Sequence, residues 1–111
     1  MGYMVIVAYR PKPGKEADLL QQVREHLPIL RQEGLATDRP PQAMWSRDGV
    51  ILEIFEWASP EAVEKAHTNP AVLKLWERFD QACTFEKLAN LPEAQEMFAH
   101  FQPVEIQGSS G

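Results

Sequence analysis

The sequence contains a single cysteine, Cys83, and few basic residues. One thiol excludes an intramolecular disulfide and a cysteine-based metal cage, and it predicts a reduced, cytoplasmic protein. The 11 lysines and arginines are outnumbered by 16 aspartates and glutamates, which gives a formal net charge of −5. This balance removes the long-range attraction that nucleic acids and anionic lipid surfaces require, so neither is an expected partner.

Long apolar runs are also lacking. No segment approaches the roughly 18 apolar residues that a membrane-spanning helix needs, and residues 1–14 do not have the pattern of a signal peptide. The chain has 111 residues, of which 44% are hydrophobic, and this is enough for one domain with a core of its own. We assign the domain to residues 1–107 and interpret 108–111 as a flexible tail or cloning remnant.

The hydrophobic pattern predicts a strand, a long helix and a hairpin in the first half of the chain. Residues 3–9 are β-branched and aromatic, which is typical of a strand. Residues 15–33 repeat apolar side chains every three or four positions, which predicts a helix. Two further strands, 42–47 and 50–57, flank Asp48-Gly49, and this dipeptide is typical of a hairpin with a type I′ turn.

Helices and a last strand follow in the second half. Ser59-Pro60 and Asn69-Pro70 each combine an N-cap residue with a proline in the first turn, so each begins a helix, the second extending to Cys83. A short helix is predicted over 92–98. A last strand over 101–106 contains a proline and is expected at a sheet edge or to begin late. This order predicts an α+β fold of the ferredoxin-like, split βαβ type, a four-stranded antiparallel sheet with helices on one face.

The third strand is apolar on both faces. One side carries Val50, Leu52, Ile54 and Glu56, and the other carries Ile51, Glu53, Phe55 and Trp57. Helices of a split βαβ fold cover only one face, so we expect a second copy to cover the other, forming a homodimer through the open sheet face. The alternative is that the C-terminal segment folds over this face and the chain remains a monomer.

The segment from Phe55 to Trp76, FEWASPEAVEKAHTNPAVLKLW, resembles the antibiotic biosynthesis monooxygenase-like branch of the dimeric α/β-barrel superfamily. The shared features are an aromatic and acidic strand end, a Ser-Pro-Glu-Ala helix start, a histidine at the end of that helix (His67), and a tryptophan on the next helix. The resemblance extends over about Tyr3–Ile106 and implies a dimeric α/β barrel.

The resemblance also implies an activity. It implies a cofactor-independent monooxygenase-like enzyme that acts on a small aromatic or polyketide-like molecule; the alternative is a non-catalytic, dimeric small-molecule-binding or stress-associated protein of the same fold. The Asn, Trp and His triad of the haem-degrading members is absent from the corresponding positions. The quinone-forming members use Asn, Trp, Tyr and Arg around the pocket, and residues of these types are present at Asn69, Trp76, Tyr9 and Arg10.

Two residues are candidates for catalysis. Histidine commonly acts as a general base near neutral pH, so His67 is the first candidate; its alternative is a bond to a carbonyl at the end of its helix. Glu53 interrupts an apolar strand and is the second. Its alternative is a charge pair with Arg10 or Arg47, because a buried carboxylate normally persists only when it is compensated.

The candidates for substrate binding are mostly aromatic: Tyr9, Trp45, Phe55, Asn69, Trp76 and Phe79. Aromatic side chains in this number either line a cavity for a flat ligand or fill the core. Glu64 and His67 share a helix face, but two ligands do not make a metal site, so no metal is predicted. His26 and His100 are predicted to be solvated or locally bonded, and Cys83 to be a core residue rather than a nucleophile.

Overall fold

The computed structural model describes residues 2–106, and the tail predicted at 108–111 lies outside the described residues. The strands are β1 (Tyr3–Pro11), β2 (Gln42–Trp45), β3 (Ile51–Trp57), β4 (Cys83–Glu86) and β5 (Gln102–Val104). The α-helices are α1 (Glu16–Gln32), α2 (Pro60–Ala66) and α3 (Pro70–Ala82). Within the described part, the strands form one open antiparallel sheet in the order β4-β1-β3-β2-β5. The α+β class is confirmed, and the sheet has five strands where four were predicted.

The register of β1 and β3 determines which side chains meet the helices. Tyr9 lies opposite Ile51, Val7 opposite Glu53, and Val5 opposite Phe55. Residues two apart share a face, so all six side chains project from the same side of the sheet. The buried faces of α1 and α3 pack on this side through residues such as Leu19, Val23, Leu75 and Phe79. The main core therefore lies between the sheet and these two helices.

The β2–β3 hairpin is present, but its turn differs from the predicted type I′. Such a turn needs positive φ at both central residues. Gly49 has a φ of 87°, whereas no non-glycine residue in the described part of the chain has a positive φ. The loop is closed by the Ser46 N–H, which donates to the Val50 carbonyl at 2.8 Å, and by the Ser46 hydroxyl, which accepts from the Val50 N–H at 3.0 Å. The loop from Ser46 to Val50 is thus longer than a two-residue type I′ turn, and the Ser46 side chain helps to close it.

Strand β4 was not predicted. The predicted end of the helix that begins at Asn69-Pro70 was wrong. The helix α3 ends at Ala82, and Cys83 adopts extended backbone angles of −155° and 171°. The Cys83 side chain still lies beside Phe79, as the helical spacing predicted, because its Sγ donates to the Phe79 carbonyl at 3.1 Å. The residues that follow pair with β1, from Cys83 opposite Pro11 to Glu86 opposite Ala8.

The face of the sheet opposite the helices is covered only in part. Leu91 and Phe101 pack there against Ala8, Val50 and Leu52. In contrast, Met4 is 53% exposed and Ile6 is 48% exposed.

The segment over this face contains two short 3₁₀ turns, Leu88–Asn90 and Pro92–Gln95, where one helix over 92–98 was predicted. The last strand is an edge strand, as predicted, and it contains Pro103. None of the helices between residues 2 and 106 combines the length and apolar character needed to cross a membrane.

Candidate functional site

A cavity of about 440 Å³ lies between the helix-covered face of the sheet and α3. Its volume is within the range of roughly 300–1,000 Å³ that is typical of small-molecule sites. The lining is largely aromatic and aliphatic, with three ionisable side chains besides a tyrosine: Val5, Val7, Tyr9, His26, Phe55, Trp57, Trp76, Glu77, Phe79, Asp80 and Phe85. The cavity is therefore suited to a flat, mostly apolar ligand.

A hydrogen-bonded group of three buried side chains lies at the wall of this cavity. The Tyr9 hydroxyl donates to Glu53 Oε1 at 2.7 Å, and His26 Nδ1 lies 2.8 Å from the same oxygen. An ionised carboxylate only accepts hydrogen bonds, so Nδ1 carries the proton in this arrangement. Nε2 of a neutral His26 ring then has a free lone pair, and this atom has no hydrogen-bond partner among the described residues.

Aromatic contacts hold the histidine and the tyrosine in place. The ring of His26 meets Phe55 and Phe79 edge-on, with centroids 5.1 Å and 5.0 Å apart. The ring of Tyr9 stacks on Phe79 at 4.9 Å and 17°. His26 and Tyr9 are therefore each held both by ring packing and by a hydrogen bond to Glu53.

The electrostatics of the site favour a protonated tyrosine. Burial raises the pKa of Tyr9 well above its usual value, and the nearby charge of Glu53 raises that pKa further. Tyr9 is therefore a hydrogen-bond donor to Glu53 and stays protonated near neutral pH. Burial, with a smaller contribution from Asp80, raises the pKa of the Cys83 thiol to about 11, so this side chain is a core residue rather than a nucleophile, as predicted.

Sequence reasoning missed His26, which was predicted to be solvated or locally bonded and is instead only 4% exposed. A signal was present, because His26 follows Val23 by three residues and precedes Leu30 by four, the spacing of one helical face. The position of Tyr9 relative to Glu53 follows from the sheet. Glu53 is directly opposite Val7, so Tyr9 is its diagonal neighbour on the same face.

The predicted arginine partners of Glu53 were wrong. Arg10 pairs with Glu86 at 2.7 Å and with Asp48 at 3.3 Å. Arg47 pairs with Glu96 at 2.6 Å and lies 3.5 Å from Glu93. Glu53 Oε1 instead accepts from neighbouring donors on β1 and α1, whereas Oε2 has no partner among the described residues, and neither arginine reaches the carboxylate.

The structure brings together five of the eight predicted site residues. Four of them line the cavity: Tyr9, Phe55, Trp76 and Phe79. The fifth, Glu53, is hydrogen-bonded to Tyr9 and His26.

The other three predicted residues lie elsewhere. His67 is exposed at the end of α2, with Nδ1 2.8 Å from the Val63 carbonyl, and it touches the ring of Trp76 from outside the cavity. Asn69 is the N-cap of α3, where its side chain accepts from the N–H groups of Ala71 and Val72. Trp45 lines a second cavity of about 300 Å³.

The second cavity contains another buried carboxylate. Glu93 is 1% exposed, and its Oε2 accepts from the backbone N–H of Arg47 at 2.7 Å. This bond attaches the C-terminal segment to the β2–β3 loop. Glu93 is therefore accounted for as a structural group, although Oε1 has no partner within residues 2–106.

No group of three or more histidine, cysteine, aspartate or glutamate side chains in the described residues is placed to hold a metal ion. Comparisons with protein-family models, with curated proteins and with solved structures find no match to this chain. The geometry of the cavity and of its buried histidine is thus the basis for a functional assignment.

Proposed function

We propose that the protein is a cofactor-independent, monooxygenase-like enzyme that acts on a small aromatic or polyketide-like molecule. The observation that supports this proposal best is the state of His26. Its Nδ1 is bound to Glu53, and Nε2 is buried without a partner among the described residues, in a side chain that lines an apolar, aromatic cavity. A histidine oriented in this way by a carboxylate is suited to act as a general base.

The proposed chemistry begins with removal of a proton from a phenol or enol. Nε2 of His26 takes the proton, and Glu53 stabilises the imidazolium that forms. Tyr9 holds Glu53 in place. The substrate anion is electron-rich and can react with O₂ directly. With anthrone as the substrate, one O₂ inserts one oxygen atom at the ring CH₂ to give anthraquinone, and the other oxygen atom leaves as water.

The test is oxygen uptake with anthrone, corrected for its spontaneous oxidation. His26→Asn places an amide donor near the Nδ1 position and removes Nε2, so we expect the enzymatic rate to fall at least 100-fold, the typical contribution of a general base. His26→Gln, which places its amide near Nε2 and supplies no base, is the matched variant and should fall equally. A large loss in His67→Asn with activity retained in His26→Asn would contradict the assignment.

A non-catalytic binding protein is the second candidate, and one observation favours it. His26 is only 4% exposed and its Nε2 is buried, so a ligand reaches this atom only after neighbouring side chains move. For this function, anthrone would bind and quench the fluorescence of Trp57 and Trp76, but oxygen uptake would equal the background. The two measurements on the same sample separate the candidates.

We also propose that the chain has the ferredoxin-like, split βαβ arrangement and forms the homodimer of a dimeric α/β barrel. The order β4-β1-β3-β2 with helices on one face supports the fold, with β5 as an addition. Met4 and Ile6 support the dimer, because they remain half-exposed on the other face, which Leu91 and Phe101 cover only in part. A second copy that presents the same apolar residues is self-complementary to them.

Light scattering coupled to size exclusion tests the dimer. We expect a mass of two chains at micromolar concentration and a shift to one chain in Ile6→Asp. The matched control is Leu73→Asp on α3, where the leucine has a similar exposure of 46% and lies outside the sheet. A wild-type monomer, or equal effects of the two variants, would refute the interface.

A further inference from the structure

Within the described part of the chain, the cavity lining contains two acidic residues and no lysine or arginine. Glu77 and Asp80 are exposed side chains of α3 that line it, so they lie where the cavity meets solvent. They are three residues apart on one helix, which places them on the same side. Among the described residues, no lysine or arginine lines the cavity, and neither carboxylate is in an ion pair within 4 Å.

Two further features make this end of the cavity negative. Asp80 lies in the last turn of α3, which contains no basic residue, and the partial charge of a helix C-terminus is itself negative. Lys12 Nζ donates to the Asp80 backbone carbonyl at 2.8 Å and offsets part of this charge. An aspartate at a helix C-terminus interacts unfavourably with the helix dipole. Such locally unfavourable residues are more common at ligand-binding positions than elsewhere.

We infer that this acidic entrance selects neutral or cationic aromatic molecules and rejects aromatic anions such as carboxylates. The inference rests on the proposed function, since it assumes an aromatic ligand in this cavity. Neutral rings pack against Phe55, Trp57 and Trp76, and a ligand cation gains from the same aromatic faces. Two carboxylates within about 8 Å of a ligand charge, with water nearby, discriminate between a neutral and an anionic ligand by roughly 10-fold.

The experiment measures the Kd of three ligands of similar shape by tryptophan fluorescence at low salt: 2-naphthol, 2-naphthoate and 2-naphthylmethylammonium. We expect 2-naphthoate to bind about 10-fold more weakly than 2-naphthol, and the ammonium compound to bind at least as tightly as 2-naphthol. The double variant Glu77→Gln/Asp80→Asn should bring the ratio of the naphthoate and naphthol Kd values toward one. Addition of 1 M salt should do the same, because exposed charges are screened.

The matched control is Glu61→Gln/Glu64→Gln, which removes the same net charge from exposed positions of α2 outside the cavity. This variant should keep the wild-type ratio. Equal affinities of the three ligands for the wild type, or equal effects of the two double variants, would overturn the inference and leave the proposed function standing. Absence of binding by all three ligands would overturn the proposed function together with the inference.

Discussion

Removing the hydroxyl of Tyr9 tests the buried group on which the proposed site depends. Tyr9→Phe deletes one atom and keeps the stacking on Phe79. The deleted bond is 2.7 Å long and joins two buried residues, Tyr9, which is 1% exposed, and Glu53, which is 0% exposed. Because hydrogen bonds to buried charged groups contribute about 1.5–3 kcal/mol, we expect a loss of about 2 kcal/mol in the free energy of unfolding.

This loss converts into a measurable shift in melting temperature. An unfolding entropy of about 2.1 cal/mol/K per residue gives about 0.23 kcal/mol/K for a chain of this length, so Tyr9→Phe should melt about 9 °C lower. Thermal and urea unfolding followed by circular dichroism measure both quantities. The matched control is Tyr3→Phe, in which the same atom is removed from a side chain that is 52% exposed on the same strand. Its melting temperature should change by less than about 2 °C.

A double-mutant cycle isolates the role of the charge. In a Glu53→Gln background the acceptor of the Tyr9 hydroxyl is neutral, so Tyr9→Phe should cost about 1 kcal/mol there. The reasoning is refuted if Tyr9→Phe and Tyr3→Phe have the same stability, or if the cost of Tyr9→Phe is unchanged by Glu53→Gln. Either result would mean that Glu53 is compensated in some other way.

Three further expectations concern residues around the site. The Cys83 thiol has its pKa raised to about 11 and is buried, so iodoacetamide at pH 8 should alkylate it only as fast as the protein opens, and denaturant should accelerate the reaction. Asn69→Ala should lower the free energy of unfolding by about 1 kcal/mol, the usual effect of losing an N-cap, without changing the Kd for 2-naphthol. The bond from Arg10 lowers the pKa of Glu86 below its ordinary 4.5, so this pair stabilises the fold above that pH, and the contribution is lost as the pH falls through the folded-state pKa. Glu86→Gln should therefore flatten the fall of stability on acidification, as measured by urea unfolding from pH 6 to pH 3, and an unchanged slope would contradict this role.

Apart from β4, the order of helices and strands was predictable because it depends on local signals. Ser59-Pro60 and Asn69-Pro70 begin α2 and α3 as their cap chemistry indicates. Strand β4 depends on pairing with β1, which a local pattern does not reveal. The first residue of β4, Cys83, also fits the helical spacing of α3, so the helix was extended one residue too far.

A site residue was predictable where its type is unusual for its surroundings. Glu53 was notable because a carboxylate in an apolar strand requires compensation. Its partners were not predictable, because Tyr9 and His26 approach it through strand register and helix packing, over sequence separations of 44 and 27 residues. His67 was predicted because histidine commonly acts as a general base, whereas the histidine on a buried helical face is His26.

The proline in β5 has a consequence for assembly. A sheet edge exposes unpaired N–H groups that can recruit a strand from another molecule, and proline has no such group to offer. Pro103 is the middle residue of a three-residue strand and lies opposite Met44, so the N–H that it lacks is the one that would point outward. The β5 edge is thereby protected against strand addition. At the other side of the sheet, within residues 2–106, β4 pairs only with residues 8–11 of β1. Residues 3–7 of β1 are the place where a further strand can join this sheet, and they lie beside the cavity.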